Sequence, residues 1–397
     1  MKMKMKRIIT TLLVMAFVAT MLPPVSVYAA TETIEVTVNV DGFEITTEAL
    51  QEAGTVLVPF SFLEEAIGAI ASFNPRTRRI SIDTAAFAFR MEVGRRGYTR
   101  NGAARQLPVA PRLVEGVPFV PMEPIITGIG GVIGVDLLTS TLTITYFSAI
   151  TGRVAIGGST TLHPFMQEAA DFLSELNTGL TVTVAAGGSG AGETGVVNRT
   201  INIGMISRSL GSAFQGRIRR VIPVAHDAVA IVVHPSNPIT DLSMEDARAI
   251  FMGEITNWNE VGGNNAPIII HTRAPGSGTG DTVNDMLLGS GNTVVATATP
   301  HVSNGLQRGA VAADANSIGF LSVGYLDATV SGVTLGGIAP TFETVTSGAY
   351  PLGRNLYLLS ENRPAGASAR VIDFIRTTHA QQEFIVGAEF LGIRPLN

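Results

Sequence analysis

The sequence predicts a two-lobed α/β protein preceded by a small β-rich α+β domain with an internal repeat. Three observations carry this. From Thr151 onward, apolar strand-like runs alternate with amphipathic helix-like runs, the grammar of βαβ units and parallel sheets. Between residues 31 and 148, a strand–helix–strand pattern occurs twice. At 397 residues the chain exceeds one ordinary core.

Residues 1–29 read as an export signal. Lys2, Lys4, Lys6 and Arg7 form a positive start, 8–22 an apolar run, and Val27-Tyr28-Ala29 a small-residue cleavage pattern, so the mature chain is expected to begin at Ala30. The apolar run is short for a transmembrane helix, with an uncleaved signal anchor as the alternative, and no later stretch is long enough to span a bilayer. The chain has no cysteine, which removes disulfides and a lipid-attachment Cys together. Losing the leader's four cations, with no acid before Glu32, takes the formal net charge from −5 to −9. A chain that acidic is unsuited to nonspecific nucleic-acid binding, so an anion site has to come from local geometry. Every lysine lies in the leader, and all later cations are Arg or His. With 46% hydrophobic and 15% charged residues the chain is globular rather than disordered.

The β-rich domain is assigned to 30–148. Thr55-Val-Leu-Val-Pro-Phe-Ser-Phe-Leu-Glu-Glu-Ala-Ile-Gly-Ala69 reads as a strand and a short amphipathic helix, followed by the strand Ile80-Ser-Ile-Asp83. The pattern returns at Gly116-Val-Pro-Phe-Val-Pro-Met-Glu-Pro124 and ends at Leu142-Thr-Ile-Thr-Tyr146, with Val58-Pro59 aligned to Val120-Pro121. This region resembles the copper amine oxidase N-terminal-like domain, a stalk on Gram-positive surface proteins, and a structural spacer is the role the resemblance implies. Neither copy has an Arg after its Val-Pro pair, where Phe60-Ser61 and Met122-Glu123 stand. No metal constellation is present, since the first His is His163 and Cys is absent.

Beyond Thr151 the predicted elements are strands at 154–156, 180–185, 201–206, 229–233 and 318–321. Helices are predicted at 162–176, 193–198, 244–252, 280–288 and 367–377. The apolar run 229–233 is read as the crossover to the second lobe and 318–321 as the way back. Lobe 1 is thus 151–230 and 323–397, and lobe 2 is 231–322.

Four loops in this part share one design. Each follows a strand and is rich in Gly and hydroxyls: Gly157-Gly158-Ser159-Thr160-Thr161, Gly187-Gly188-Ser189-Gly190-Ala191-Gly192, Ser207-Arg208-Ser209, and the run from Arg273 through Gly276-Ser277-Gly278-Thr279-Gly280. Glycine lets the backbone approach a ligand, helix-first-turn amides carry the positive end of the dipole, and hydroxyls rotate to donate. Arg273 adds a charged, forked donor. Such loops cradle an anion. A P-loop is excluded because Asp281 follows Gly280, and a nucleophile elbow because no serine here has the Gly-x-Ser-x-Gly spacing. His163, His226 and His271 lie beside these loops without metal spacing, and no cofactor is implied.

The segment from about 152 to 397 resembles the phosphate-binding protein of the ABC phosphate importer, of the kind common in Gram-positive bacteria. The resemblance rests on Gly158-Ser-Thr-Thr-Leu162, Gly187-Gly-Ser-Gly190, Ile203-Gly-Met-Ile-Ser-Arg208, His226-Asp-Ala-Val-Ala-Ile-Val-Val-His-Pro-Ser-Asn237, Ile250-Phe-Met-Gly-Glu-Ile-Thr-Asn-Trp258, the stretch from Arg273 to Thr279, and Gly348-Ala-Tyr-Pro-Leu-Gly-Arg354. It implies a type II periplasmic-binding-protein (Venus flytrap) fold in 151–397. It also implies a phosphate site of Ser159, Thr160, Ser189 and Ser207 facing Arg273, Ser277, Gly278 and Thr279. Family members have an Asp after the third-loop Ser. Here Arg208 stands there, as ligand or loop brace, and Asp227 is the candidate acidic ligand. The implied function is capture of inorganic phosphate by an extracellular or surface-held monomer and delivery to an ABC permease, without catalysis. The competing readings are a wall or surface protein attached through its N-terminal domain with a vestigial or sensory phosphate site, a binder of another oxyanion, and a phosphatase-like enzyme, which lacks a metal cluster and a nucleophile–base pair.

Overall fold

The structure, a computed structural model, describes residues 33–136, 141–289, 291–387 and 390–393. The expected signal peptide lies outside the described residues. Among the described residues no helix is long and apolar enough to cross a membrane. The chain forms two compact units. Unit 1 takes in the chain up to Gly152 together with Leu173–Leu180 and Pro364–Ala380, and unit 2 takes in Arg153–Phe172, Thr181–Arg363 and the chain from Gln381.

Unit 1 begins with β1 (Ile34–Val40), β2 (Phe43–Glu52), β3 (Thr55–Pro59) and α1 (Phe60–Ile67). Five short strands follow, β4 (Ile70–Asn74), β5 (Arg79–Asp83), β6 (Ala88–Glu92), β7 (Gly97–Arg100) and β8 (Ala103–Gln106). They form a five-stranded antiparallel meander in chain order. Then come β9 (Arg112–Val114), β10 (Val117–Pro121), α2 (Met122–Gly128), β11 (Val132–Asp136) and β12 (Thr141–Thr145), which complete a seven-stranded sheet in the order β11-β12-β1-β2-β3-β10-β9.

The two copies of the sequence repeat meet in this sheet. β3 and β10 run antiparallel with Val58 directly opposite Val120. Pro59 and Pro121 each end a strand and stand as the N-cap of the next helix, with φ of −54° and −58°. A residue with no N–H and that φ closes a ladder and starts a helix at once. α1 stops at Gly68, in the left-handed region at φ +64°, where a side chain would also strike the carbonyl of Asp373.

That contact belongs to the helix Gly366–Ile375, predicted at 367–377 and built into unit 1. Its Asp373 is buried and accepts hydrogen bonds from the Ala85 amide (2.6 Å) and the Tyr146 hydroxyl (2.9 Å). Arg376 donates to the Gly68 carbonyl at 3.2 Å, Arg370 lies over the Tyr146 ring, and Phe374 packs edge-on against Phe147.

Unit 2 opens with β13 (Gly152–Gly158) and α3 (His163–Leu176), whose last turn belongs to unit 1, and goes on through β14 (Leu180–Ala186), α4 (Ser189–Val197), β15 (Ile203–Ile206) and the 14-residue β16 (Arg220–Val233). It continues with β17 (Asp241–Leu242), α5 (Met244–Met252), β18 (Ile269–Arg273), α6 (Gly278–Thr282), β19 (Thr299–His301), α7 (Asn304–Ala312), β20 (Ser317–Ser322), β21 (Ser331–Leu335), α8 (Phe342–Thr346) and β22 (Gly353–Ser360). One sheet path, β14-β13-β15-β22-β16-β20-β18-β19, runs through both lobes. β16 makes that possible: residues 220–228 pair with β22, and 229–233 pair with β20.

The sheet is mixed where the sequence pattern predicted parallel. β13 and β15 are parallel, as are β18 with β19 and with β20, but β16 is antiparallel to β22, β20 and β21. The reason is topological. β16 carries the chain out to lobe 2 and β22 carries it back, so the two run in opposite directions. Residues 323–352, placed with lobe 1 by the sequence reading, contribute Val330, Val333, Leu335, Val345, Tyr350 and Leu352 to the same core as Ile231, Trp258 and Phe320. They pack with lobe 2.

Candidate anion site

The four hydroxyl-rich loops converge on one point of unit 2. From lobe 1, the loop after β13 brings Ser159, Thr160 and Thr161, all buried. The Ser159 amide is tied to the Met205 carbonyl (2.8 Å) and its Oγ accepts from the Thr161 amide (3.2 Å), which holds the loop in a tight turn. Ser189 opens α4, and its Oγ accepts from the Ser207 amide at 3.1 Å. From lobe 2, Arg273 ends β18, and Ser277 caps α6 by accepting from the Gly280 amide (3.2 Å).

The lobes touch here. The Gly190 amide of lobe 1 donates to the Gly276 carbonyl of lobe 2 at 3.1 Å. Thr161 Oγ1 stands 3.3 Å from Thr279 Oγ1. A Cβ placed on Gly278 would lie 2.6 Å from Ser207 Oγ and closer still to Ser189 Oγ, so a side chain at position 278 would displace both hydroxyls.

Two guanidiniums face this point. Arg273 is 6% exposed and donates to Asn304 Oδ1 (2.8 Å), Thr160 Oγ1 (3.0 Å) and the carbonyls of His301 and Val302 (3.2 and 3.3 Å). All these acceptors are neutral, and among the described residues no carboxylate forms an ion pair with it. Burial, and then the charge of Arg354, pushes its pKa down to about 10. Arg354 lies on β22 directly opposite Asp227 of β16. Its Nε and Nη2 both reach Asp227 Oδ2 (2.8 and 2.6 Å), and Nη2 also contacts Thr279 Oγ1 (3.2 Å) and Thr161 Oγ1 (3.4 Å). Asp227 is fully buried, and its Oδ1 accepts from Ser322 Oγ at 2.7 Å. With four lone-pair sites and three donors, the carboxylate keeps acceptor capacity. Two buried cations against one buried anion leave the centre one positive charge in excess.

Arg208 points elsewhere. Its Nη1 and Nη2 hold both oxygens of the buried Glu193 (2.7 and 2.8 Å), and its Nε holds Asp281 Oδ2 of lobe 2 (2.6 Å). With all three nitrogens engaged, it braces the loop and spans the lobes. His226 and His271 are occupied structurally, His226 with Asn355 and His271 with His301 and Ser317.

Of the sequence candidates, Ser159, Thr160, Ser189, Ser207, Asp227, Arg273, Ser277, Gly278 and Thr279 gather at or around this centre. Arg354, Thr161 and Asn304 complete it without having been singled out. Thr161 stood inside the first loop motif and Arg354 at the end of Gly348-Ala-Tyr-Pro-Leu-Gly-Arg354, but Asn304, the first residue of α7, carried no such mark. The chain has no Cys, and among the described residues no three His, Asp or Glu groups converge on a metal position.

Comparison with known proteins finds two family domains in the chain. Residues 147–377 match the PBP superfamily domain and residues 37–144 the copper amine oxidase N-terminal domain. The chain is 30% identical over 258 residues to the phosphate-binding protein PstS of Borreliella burgdorferi, covering 61% of this chain and 90% of that one. It is 26% identical over 246 residues to PstS of Bacillus subtilis, covering 61% and 81%. Among solved structures, a putative phosphate ABC transporter substrate-binding protein from Clostridium perfringens with bound phosphate matches at 28% identity and TM-score 0.58, over 61% of this chain and 100% of that chain. An ABC-type phosphate transport receptor from Vibrio cholerae matches at 29% and 0.52 with the same coverage. A match to the superfamily domain over more than half of its length, together with a 30%-identical relative spanned almost end to end, makes the chain a member of the PBP superfamily, in the family of the PstS proteins.

Proposed function

We propose that the chain captures inorganic phosphate between the two lobes of unit 2 and delivers it, chemically unchanged, to an ABC permease outside the cytoplasm. The observation that carries this is Arg273, a guanidinium buried among neutral acceptors. An unpaired buried charge is costly, and a site that keeps one is built for an incoming counter-charge. The hydroxyls of Thr160, Ser159, Ser189, Ser207 and Thr279 supply donors on every side of a small tetrahedral anion, and Gly278 lets α6 close onto it. Arg208 acts as the brace of the third loop.

Asp227 sets the selectivity in this reading. Phosphate near neutrality still carries a proton, which a carboxylate accepts. Sulfate carries none, and the same carboxylate then faces a lone pair. Leaving such an acceptor unmatched costs about 1–3 kcal/mol, a factor of roughly 5 to 150. Calorimetric titration of the mature chain, stripped of ligand, with phosphate and then sulfate tests both points. Saturable phosphate binding with much weaker sulfate binding is expected, and Asp227→Asn should narrow the ratio at least fivefold. No saturable phosphate binding refutes the function, and an unchanged ratio in the variant refutes the role of Asp227.

A further inference from the structure

The meander β4–β8 of unit 1 carries a charge pattern that phosphate capture does not use. Between Pro75 and Arg112 stand nine arginines against two acids, Asp83 and Glu92, in a chain whose net charge is −5. Strand alternation explains where they point. In β5 and β6 the apolar Ile80, Ile82, Phe89 and Met91 are buried, which turns Arg79, Ser81 and Arg90 to the outer face. Arg79 stands opposite Glu92, and Ser81 opposite Arg90. The next pairing sets Arg90 against Thr99 of β7.

This face is concave. A depression of about 500 Å³ is lined by Arg79, Arg90, Arg95 and Arg105 with Ser81, Thr99 and Gln106 between them. Asp83 holds Arg90 in a two-point pair (2.6 and 2.9 Å), and Glu92 holds Arg95 at 3.1 Å, both at the solvent-exposed surface. Arg79 and Arg105 are exposed and have no carboxylate partner among the described residues. Four guanidiniums against Glu92 and the Asp83 that pairs with Arg90 leave two positive charges in excess, a basic channel whose hydroxyl and amide groups add neutral hydrogen-bond partners.

We infer that this channel binds a linear polymer of phosphodiester units, of the kind a chain of polyol phosphates presents outside a cell. Guanidiniums recognise phosphate oxygens by forked hydrogen bonds, and several at strand spacing follow a repeating anion better than a single one. Nucleic acid fits less well, because single strands are held by bases stacking on open aromatic rings, and Tyr98, the ring that lines the floor of the depression, is only 8% exposed. A bilayer is flat and does not enter a depression. The channel would hold the protein near an anionic envelope polymer by a route independent of the lobe site.

The test is fluorescence anisotropy of a labelled synthetic poly(glycerol phosphate) chain with the full mature protein, run in saturating inorganic phosphate so that the lobe site is silent. Binding is expected at low salt, with a log–log salt slope between about −1.4 and −3, from the two unpaired guanidiniums up to all four at roughly −0.7 each. Arg79→Glu with Arg105→Glu should weaken it more than tenfold while the calorimetric phosphate titration and the circular dichroism stay as in the wild type. No binding at low salt, or equal binding by the variant, overturns the inference. So does tighter binding to phosphatidylglycerol vesicles or to single-stranded DNA than to the polymer, which would assign the channel to a membrane or to a general electrostatic field.

Discussion

A single methyl group at position 278 tests the proposed anion site most directly. In Gly278→Ala the new Cβ would sit 2.6 Å from Ser207 Oγ, whereas non-bonded atoms settle at about 3.5 Å. Either the Ser189 and Ser207 hydroxyls turn away or α6 withdraws from lobe 1 by roughly 1 Å, and each takes donors out of hydrogen-bond range of an anion held between them. Hydrogen bonds to a charged group contribute about 1.5–3 kcal/mol each, so losing two weakens binding by at least about 3 kcal/mol, a factor of roughly 100. The ligand-free fold should not suffer, because Gly278 has no left-handed φ and alanine favours a helix start over glycine. Phosphate calorimetry on the variant, with thermal unfolding of the ligand-free protein as control, reads both effects. Phosphate affinity within threefold of wild type would refute the geometry, since the lobes could not then be meeting at Gly278 when the anion is bound.

Two other perturbations follow from buried charge. Arg354→Gln strands Asp227 in the interior, and breaking a buried pair from one side costs about 3–5 kcal/mol; urea unfolding should show that loss, and Arg354→Gln with Asp227→Asn should regain part of it, whereas a double variant no more stable than the single would count against the pair. Burial pushes the Asp373 carboxyl up to about 7, against hydrogen bonds from Ala85 and Tyr146 that favour its ionised form. A raised carboxyl holds its proton in the folded state between the usual carboxylate range and pH 7, so unit 1 is most stable in acid, loses stability as pH rises to 7, and is level above that; urea unfolding should lose up to roughly 3 kcal/mol between pH 5 and 8, and Asp373→Asn should flatten the profile.

What the sequence disclosed follows the range of each interaction. The first, second and fourth loops were legible because their chemistry is packed into a few consecutive residues, and Gly, Ser and Thr after an apolar strand have few other uses. The repeat was legible because Val58-Pro59 and Val120-Pro121 each end a strand and begin a helix. Arg354 was not legible as a site residue. It sits in an ordinary alternating strand, and its meaning comes from Asp227, which is adjacent across a ladder and remote along the chain. Arg208 stayed open between ligand and brace until Glu193 and Asp281 were seen to take its nitrogens. The amphipathic pattern of the helix Gly366–Ile375 announced burial but not its partner, because periodicity says that a face is covered and not by what. The return to lobe 1 was placed at 323 because β20 looked like the end of lobe 2, whereas Val330 and Val333 still pack in its core.

β16 has a mechanical consequence. It is one strand, bulged between Pro223 and Ala225, whose first part belongs to the ladder of lobe 1 and whose last part belongs to that of lobe 2, so the lobes share backbone hydrogen bonds and not merely a linker. A ribbon of this kind twists more readily than it folds. Opening the cleft therefore distributes a small torsion over many residues, and the protein behaves as a spring with one rest length rather than as a door on a pin. The same sharing couples the two halves when they melt, because loosening one ladder frees a strand whose other end still carries the hydrogen bonds of the second.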